Sequence, residues 1–150
     1  TLQSYCYNYM FSKCTSLTTL PENLLPATTL ASNCYNYMFS DCSSLTTLPE
    51  NLLPATTLAS LCYFSMFESC SSLTNATKLP ATTLASNCYN RMFYKCSSLT
   101  NAPKLPATTL AEYCYGYMFY DCSKLKEIYC NAHYNANGSE ITTNISTNWL

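Results

Sequence analysis

Cysteine is the residue through which this chain could most readily do chemistry, holding eleven of 150 positions. Ten of the eleven fall in pairs eight residues apart: Cys6 and Cys14, Cys34 and Cys42, Cys62 and Cys70, Cys88 and Cys96, Cys114 and Cys122. A zinc site would want close Cys-x-x-Cys pairs or clustered Cys and His, and His133 is the single histidine. Cys130 and His133 do form a Cys-x-x-His. As metal ligands they lack companions, and as nucleophile and base they lack an Asn or Asp placed to orient the ring. No metal and no cofactor is expected. The ten paired cysteines stand where a small apolar residue would serve, so the expectation is reduced, buried thiols, with disulfides within or between copies as the alternative.

Other reactive types are thinly spread. Glu68, Glu112, Asp121 and Glu127 read as solvated groups in exposed connections rather than as a general acid and base. The two glycines, Gly116 and Gly138, cannot build a phosphate-cradling loop. Asn75, Asn137 and Asn144 begin Asn-x-Ser/Thr sequons, which matter only on a eukaryotic secretory route. Enzymatic activity is not expected.

Charge removes another class of function. Charged residues make up 10% of the chain and the net charge is -1, so no basic field exists to hold a nucleic-acid backbone. No apolar run approaches the roughly 20 residues of a membrane helix, so no membrane insertion of this chain is expected. A surface rich in Thr, Ser, Asn and Tyr suits an extracellular setting. Thr1 in place of Met, with an opening in mid-repeat, suggests processing or a fragment of a longer protein.

These residues are positioned by an internal repeat. Leu-Pro-Ala-Thr-Thr-Leu-Ala recurs with its first Leu at Leu25, Leu53, Leu79 and Leu105, at spacings of 28, 26 and 26. Cys-Tyr-x-x-Met-Phe-x-x-Cys begins at Cys6, Cys34, Cys62, Cys88 and Cys114, which makes five copies. Leu30, Cys34, Met38 and Cys42 lie at steps of four, with Tyr35 and Phe39 beside them, and predict a short helix over residues 31–41. Residues 45–48 are a strand candidate ended by Pro49, and residues 55–58 a second extended piece. No copy can bury its apolar side alone, so copies must stack and like residues must form columns: Phe11, Phe39, Phe67, Phe93 and Phe119; Met10, Met38, Met66, Met92 and Met118; Leu17, Leu45, Leu73, Leu99 and Leu125. The Thr-Thr pairs repeat in register. On a strand each pair would turn only one Thr outward, which argues against an ice-binding hydroxyl array.

The order Leu-Pro, a few residues, Leu, then Cys-x-x-x-Met-Phe-x-x-Cys-x-x-Leu resembles the BspA-type leucine-rich repeat, with Cys and Met-Phe where that family has Ile and Ala-Phe. The likeness covers residues 1 to about 128. It implies an α/β leucine-rich-repeat solenoid of five stacked repeats of 26–28 residues, each with short parallel strands and a short helix. Residues 129–150, ending Asn148-Trp149-Leu150, would then be a partial cap or linker. It also implies a secreted or cell-surface protein of a bacterium that adheres to host or bacterial surface proteins or glycans. The alternative is a structural subunit that stacks end to end on itself into a fibre.

The ligand-facing positions are expected where the copies differ. Three residues after each first Cys stand Tyr9, Tyr37, Ser65, Arg91 and Tyr117; before each second Cys stand Ser12-Lys13, Ser40-Asp41, Glu68-Ser69, Tyr94-Lys95 and Tyr120-Asp121. Tyr9, Tyr37, Arg91, Tyr94, Lys95, Tyr117 and Tyr120 are the candidate binding residues, since Tyr and Arg are the types most often found as interface hot spots.

Overall fold

The computed structural model describes residues 2–133. Residues 32–41, where the spacing predicts a helix, form a run of consecutive turns, and the same happens at 4–13, 60–69, 86–95 and 112–121. Backbone hydrogen bonding shows why. Within one run the N–H groups of Cys34, Met38, Ser40 and Cys42 donate to carbonyls three residues back, at Ala31, Tyr35, Tyr37 and Phe39. The N–H groups between them do not stay in the run. Asn33, Tyr35, Tyr37, Phe39 and Asp41 donate to Ser60, Cys62, Phe64, Met66 and Glu68 of the next copy at 2.8–3.0 Å. An α-helix would keep every N–H inside its own segment; here every second one ties two copies together.

The four-residue step is the period of these turns. In a helix, successive residues four apart drift by about 40°, so Leu30, Cys34, Met38 and Cys42 would wind off one face. A chain of four-residue turns returns to the same face each time. The pairs at the junctions of successive turns, Cys34-Tyr35 and Met38-Phe39, are buried.

The turns demand left-handed backbone. Seventeen described non-glycine residues have positive φ, and fifteen of them occupy the same three places in every copy. Asn33, Tyr37 and Asp41, at φ of 60°, 53° and 58°, are the third residues of turns closed by Cys34, Met38 and Cys42, the place where a type II turn requires positive φ. Asn tolerates that region; Leu61, Arg91, Tyr113 and Tyr117 each carry a cost of about 1–2 kcal/mol. Packing of the whole stack outweighs it.

Between the runs, residues 17–31, 45–59, 73–85, 99–111 and 125–133 form the opposite wall of each coil. The strand candidates at 45–48 and 55–58 do not become strands. Among the described residues no sheet forms; the bridges between walls are isolated and parallel, Thr57 with Thr83, Asn75 with Asn101 and Leu105 with Cys130. Prolines at 49, 54, 80, 103 and 106 remove donors too often for a longer ladder. Threonine compensates: Thr46, Thr74 and Thr100 each donate both N–H and Oγ1–H to the carbonyl of the preceding Thr, at Thr18, Thr46 and Thr74.

The expectation of an α/β leucine-rich-repeat solenoid is therefore overturned. The described chain has no helix and almost no strand, and the strand-plus-helix repeat unit implied by the resemblance is absent. Stacking in columns does occur. Phe11, Phe39, Phe67, Phe93 and Phe119 lie ring over ring at 5.5, 5.6, 5.7 and 5.8 Å. Tyr7, Tyr35, Tyr63, Tyr89 and Tyr115 form a second such stack at 5.6, 5.8, 5.7 and 5.9 Å. Residues 129–133 dock on the preceding wall, where Leu105 donates to Tyr129 and His133 donates to Thr108. Asn148, Trp149 and Leu150 lie outside the described residues.

Two outcomes follow from this packing. Phe67 is fully buried between two rings, so Phe67→Ala should lower unfolding free energy by about 3–5 kcal/mol in a denaturant melt, while Phe11→Ala, stacked on one side only, costs less. Tyr113 is exposed and at φ 50°, where Asn33 and Asn87 stand in other copies, so Tyr113→Asn should raise stability by about 1 kcal/mol. A lower melting temperature for Tyr113→Asn would refute the strain assignment.

Candidate functional site

The cysteines come first because the fold assigns them a task. Cys34, Cys42, Cys62, Cys70, Cys88, Cys96, Cys114 and Cys122 are buried free thiols, while Cys14 is exposed and Cys6 and Cys130 are partly so. The second cysteine of each pair is more than a small hydrophobe. The Sγ–H of Cys42, Cys70, Cys96 and Cys122 donates at 3.1–3.2 Å to the carbonyl of Phe11, Phe39, Phe67 and Phe93 in the preceding copy. Each thiol stitches one Phe to the next copy, a weak bond placed where water is excluded.

Burial makes these thiols poor nucleophiles. It pushes Cys34, Cys42 and Cys114 up to about 11 and Cys88 and Cys122 up to about 12, and raises Cys62, Cys70 and Cys96 strongly as well. Cys130 Sγ accepts a bond from the Ala132 N–H at 3.5 Å, and among the described residues no three His, Cys, Asp or Glu side chains converge.

The residues expected to face a ligand fall in two aromatic groups. Tyr9 and Tyr37 stack at 4.6 Å with planes 6° apart, and Phe64 meets Tyr37 edge-on at 5.4 Å. Further along the stack, the Arg91 guanidinium carbon lies 5.3 Å from the Tyr94 ring centre and 5.7 Å from that of Tyr117. Tyr94 stacks on Tyr120 at 5.2 Å, Tyr120 meets Tyr117 edge-on at 6.3 Å, and Lys95 Nζ lies 5.3 Å from the Tyr94 ring. Tyr9, Tyr37, Arg91, Lys95 and Tyr117 are all residues of positive φ, so turn corners carry them outward. Tyr9, Tyr117 and Tyr120 are exposed, and Tyr37, Arg91 and Tyr94 half-buried by their neighbours.

Ser65 and Glu68, in the third copy, separate the two groups. Ser65 is fully buried and its Oγ has no hydrogen-bond partner; Glu68 is half-buried, with Oε2 shielded from solvent and likewise unpartnered. Glu68 thus departs from the expected solvated carboxylate, whereas Glu112, Asp121 and Glu127 are exposed. The negative charge of Glu68, after burial and the neighbouring Tyr37, helps to push the Tyr9 hydroxyl up from its ordinary value. Sequence reasoning missed the role of Phe64 and the burial of Ser65 and Glu68. The available signal was Phe64 itself, standing where the other copies have Asn8, Asn36, Asn90 and Gly116.

Two further surface readings change. Both threonines of every pair are exposed, at Thr28-Thr29, Thr56-Thr57, Thr82-Thr83 and Thr108-Thr109, because no strand alternates them. The Asn75 sequon is occupied structurally: Asn75 Oδ1 accepts from Leu48 N and its Nδ2 donates to Leu48 O, while buried Thr77 donates to Glu50 O. A glycan on Asn75 would break that clamp. Asn137 and Asn144 lie outside the described residues.

Comparison of the chain with protein-family models, with curated proteins and with solved structures finds no match.

The thiols give a pH dependence with a definite sign. A folded-state pKa raised above the unfolded value favours the protonated fold, so the stabilisation is complete below about pH 8.5 and is lost as pH rises toward 11–12. Each thiol contributes a slope of up to about 1.4 kcal/mol per pH unit, and eight acting together should make the melting temperature fall steeply above about pH 9. At neutral pH an aromatic disulfide reagent should modify Cys14 first and the eight buried thiols only on denaturation. Mass analysis of the native protein showing five disulfides would contradict both expectations.

Proposed function

We propose that the protein is a non-catalytic binding module, secreted or displayed at a cell surface, that holds a protein or glycan ligand across the band from Tyr9 to Tyr120. The observation that carries this reading is the arrangement of Arg91 against both Tyr94 and Tyr117, with Tyr120 stacked on Tyr94. The rings hold the guanidinium side chain in one place, which lowers the entropy lost when a partner engages it. Flat aromatic faces accept the apolar face of a sugar or a peptide side chain. The charged heads of Arg91 and Lys95 supply directional polar contacts beside those rings. A net charge of -1 and the scarcity of charged residues elsewhere leave this band as the place where ring faces and cations coincide.

The test uses immobilised panels of glycans and extracellular-matrix proteins. Tyr37→Ala, Arg91→Ala, Tyr94→Ala and Tyr117→Ala should each keep a cooperative melt and weaken capture by about 1 kcal/mol or more, the scale of an interface hot spot. Capture unchanged in all four variants would remove the band as the site.

A further inference from the structure

The few charges of this chain are not spread evenly along the stack. Residues 2–70 carry Lys13 against Glu22, Asp41, Glu50 and Glu68, a net of -3. Residues 71–133 carry Lys78, Arg91, Lys95, Lys104, Lys124 and Lys126 against Glu112, Asp121 and Glu127, a net of +3. The run at 86–95 lies in the positive half, and it is an interior run, bonded to the runs at 60–69 and 112–121 on its two sides. Its surroundings are set by neighbouring copies.

Arg91 and Lys95 stand at successive corners of that run, at φ of 56° and 60°, and a chain of four-residue turns returns them to one face. Both cations lie 5.3 Å from the centre of the same Tyr94 ring, and Tyr117 of the next copy holds Arg91 from a second side. No other copy has two cations at these corners, where Tyr9 and Lys13, Tyr37 and Asp41, Ser65 and Ser69, and Tyr117 and Asp121 stand instead. Among the described residues neither charge has an acidic partner, since the one ion pair joins Lys78 to Glu50. Asp121, one copy along from Lys95, and Glu68, one copy before Tyr94, form none with them. The planar donor fork of Arg91 and the ammonium donors of Lys95 are left to a ligand.

The backbone offers a ligand nothing here. Every N–H from Arg91 to Cys96 is bonded internally, those of Met92, Tyr94 and Cys96 closing turns and those of Arg91, Phe93 and Lys95 reaching Gly116, Met118 and Tyr120. An extended peptide that adds itself to an open backbone edge finds no edge on this run. Recognition must pass through side chains, and those present are cations and phenols. Acid groups meet the first and sugar hydroxyls the second.

We propose that the ligand of the Tyr9–Tyr120 band is an acidic glycan whose carboxylate or sulfate groups are held by Arg91 and Lys95. This rests on the band being a binding surface and adds the charge of what it binds. The guanidinium fork takes two oxygens of one acid group, and Lys95 acts as a point charge beside it. The positive half of the stack draws a polyanion to this run, and the negative half opposes its spread toward Asp41.

Titration calorimetry with polygalacturonate, dextran sulfate, neutral dextran and poly-glutamate tests this, the first pair separating carboxylate from sulfate as the group recognised. At least one of that pair should bind where dextran does not. Raising the ionic strength from about 0.1 to about 1 M, which shortens the screening length from about 10 to about 3 Å, should weaken that binding severalfold. Asparagine suits a left-handed corner, so Arg91→Asn and Lys95→Asn should keep the melting temperature while each lowers affinity about tenfold. Asp121→Asn, which removes the adjoining negative charge, should raise affinity about twofold. Binding of neither acidic glycan, binding that Lys95→Asn leaves unmoved, or tighter binding of poly-glutamate than of both glycans overturns the proposal. The band can survive that failure: capture of a neutral glycan or a protein that depends on Tyr37 and Tyr94 but not on Lys95 keeps the band and refutes the acidic ligand.

Discussion

The rest of the structure depends on the division of backbone donors within each run of turns. Half of the N–H groups close four-residue turns and half reach the next copy, so no segment satisfies its own backbone and no copy stands alone. An isolated run would leave every second N–H to water. Stacking is thus a condition for local structure here, whereas in a helical repeat the helix forms first and stacking follows. Folding is expected to be correspondingly cooperative along the stack, each copy gaining its turns only as its neighbour supplies carbonyls.

That division also decides where side chains go. Four-residue turns deliver the Cys-Tyr and Met-Phe pairs to the interior at a fixed pitch, and the rings then lie in two parallel stacks with centroids 5.5–5.9 Å apart. The corner residues are forced into left-handed backbone; Tyr9, Lys13, Lys95 and Tyr117 project outward from them whereas Ser65 at the same place is covered, and the candidate binding residues stand at or beside those corners. The same local geometry that strains Tyr37, Arg91 and Tyr117 makes them available to a partner. Strain at such places is a common companion of binding surfaces, held by a surrounding structure that over-determines it.

Cysteine suits the second position of each pair for two reasons acting together. It is compact enough for a fully enclosed site, and its S–H still reaches the Phe carbonyl of the preceding copy, which already accepts the N–H of its own copy's cysteine. Alanine would fill less of the space and leave that second acceptor site unused; serine would bring a more strongly hydrated hydroxyl into an apolar column. The thiols are components of the interior, with reactivity suppressed by burial.

Much was legible in the sequence by itself. The repeat, its five copies, the Phe, Met and Leu columns and the burial of the thiols in the last four pairs follow from spacing and residue type, because any stacked repeat brings like residues together and hides the apolar ones, whereas Cys6 is partly exposed and Cys14 exposed. The outward band was legible only in part: Tyr9, Tyr117 and Tyr120 are exposed, but Ser40 and Ser65, which also vary among the copies, are buried. The secondary structure was decided only in the tertiary structure. A step of four is shared by a helix and by a chain of four-residue turns, and what separates them is the destination of Tyr35, Tyr37 and Phe39 N–H groups, in a copy 27 residues away. The pairing of Arg91 with both Tyr94 and Tyr117, the approach of Phe64 to Tyr37 and the shielding of Glu68 were likewise set by contacts between copies, which no single segment encodes. The exposure of both threonines in each pair has the same origin. Alternation of faces belongs to strands, and the prolines and the loose wall pairing leave too little ladder for a strand to form.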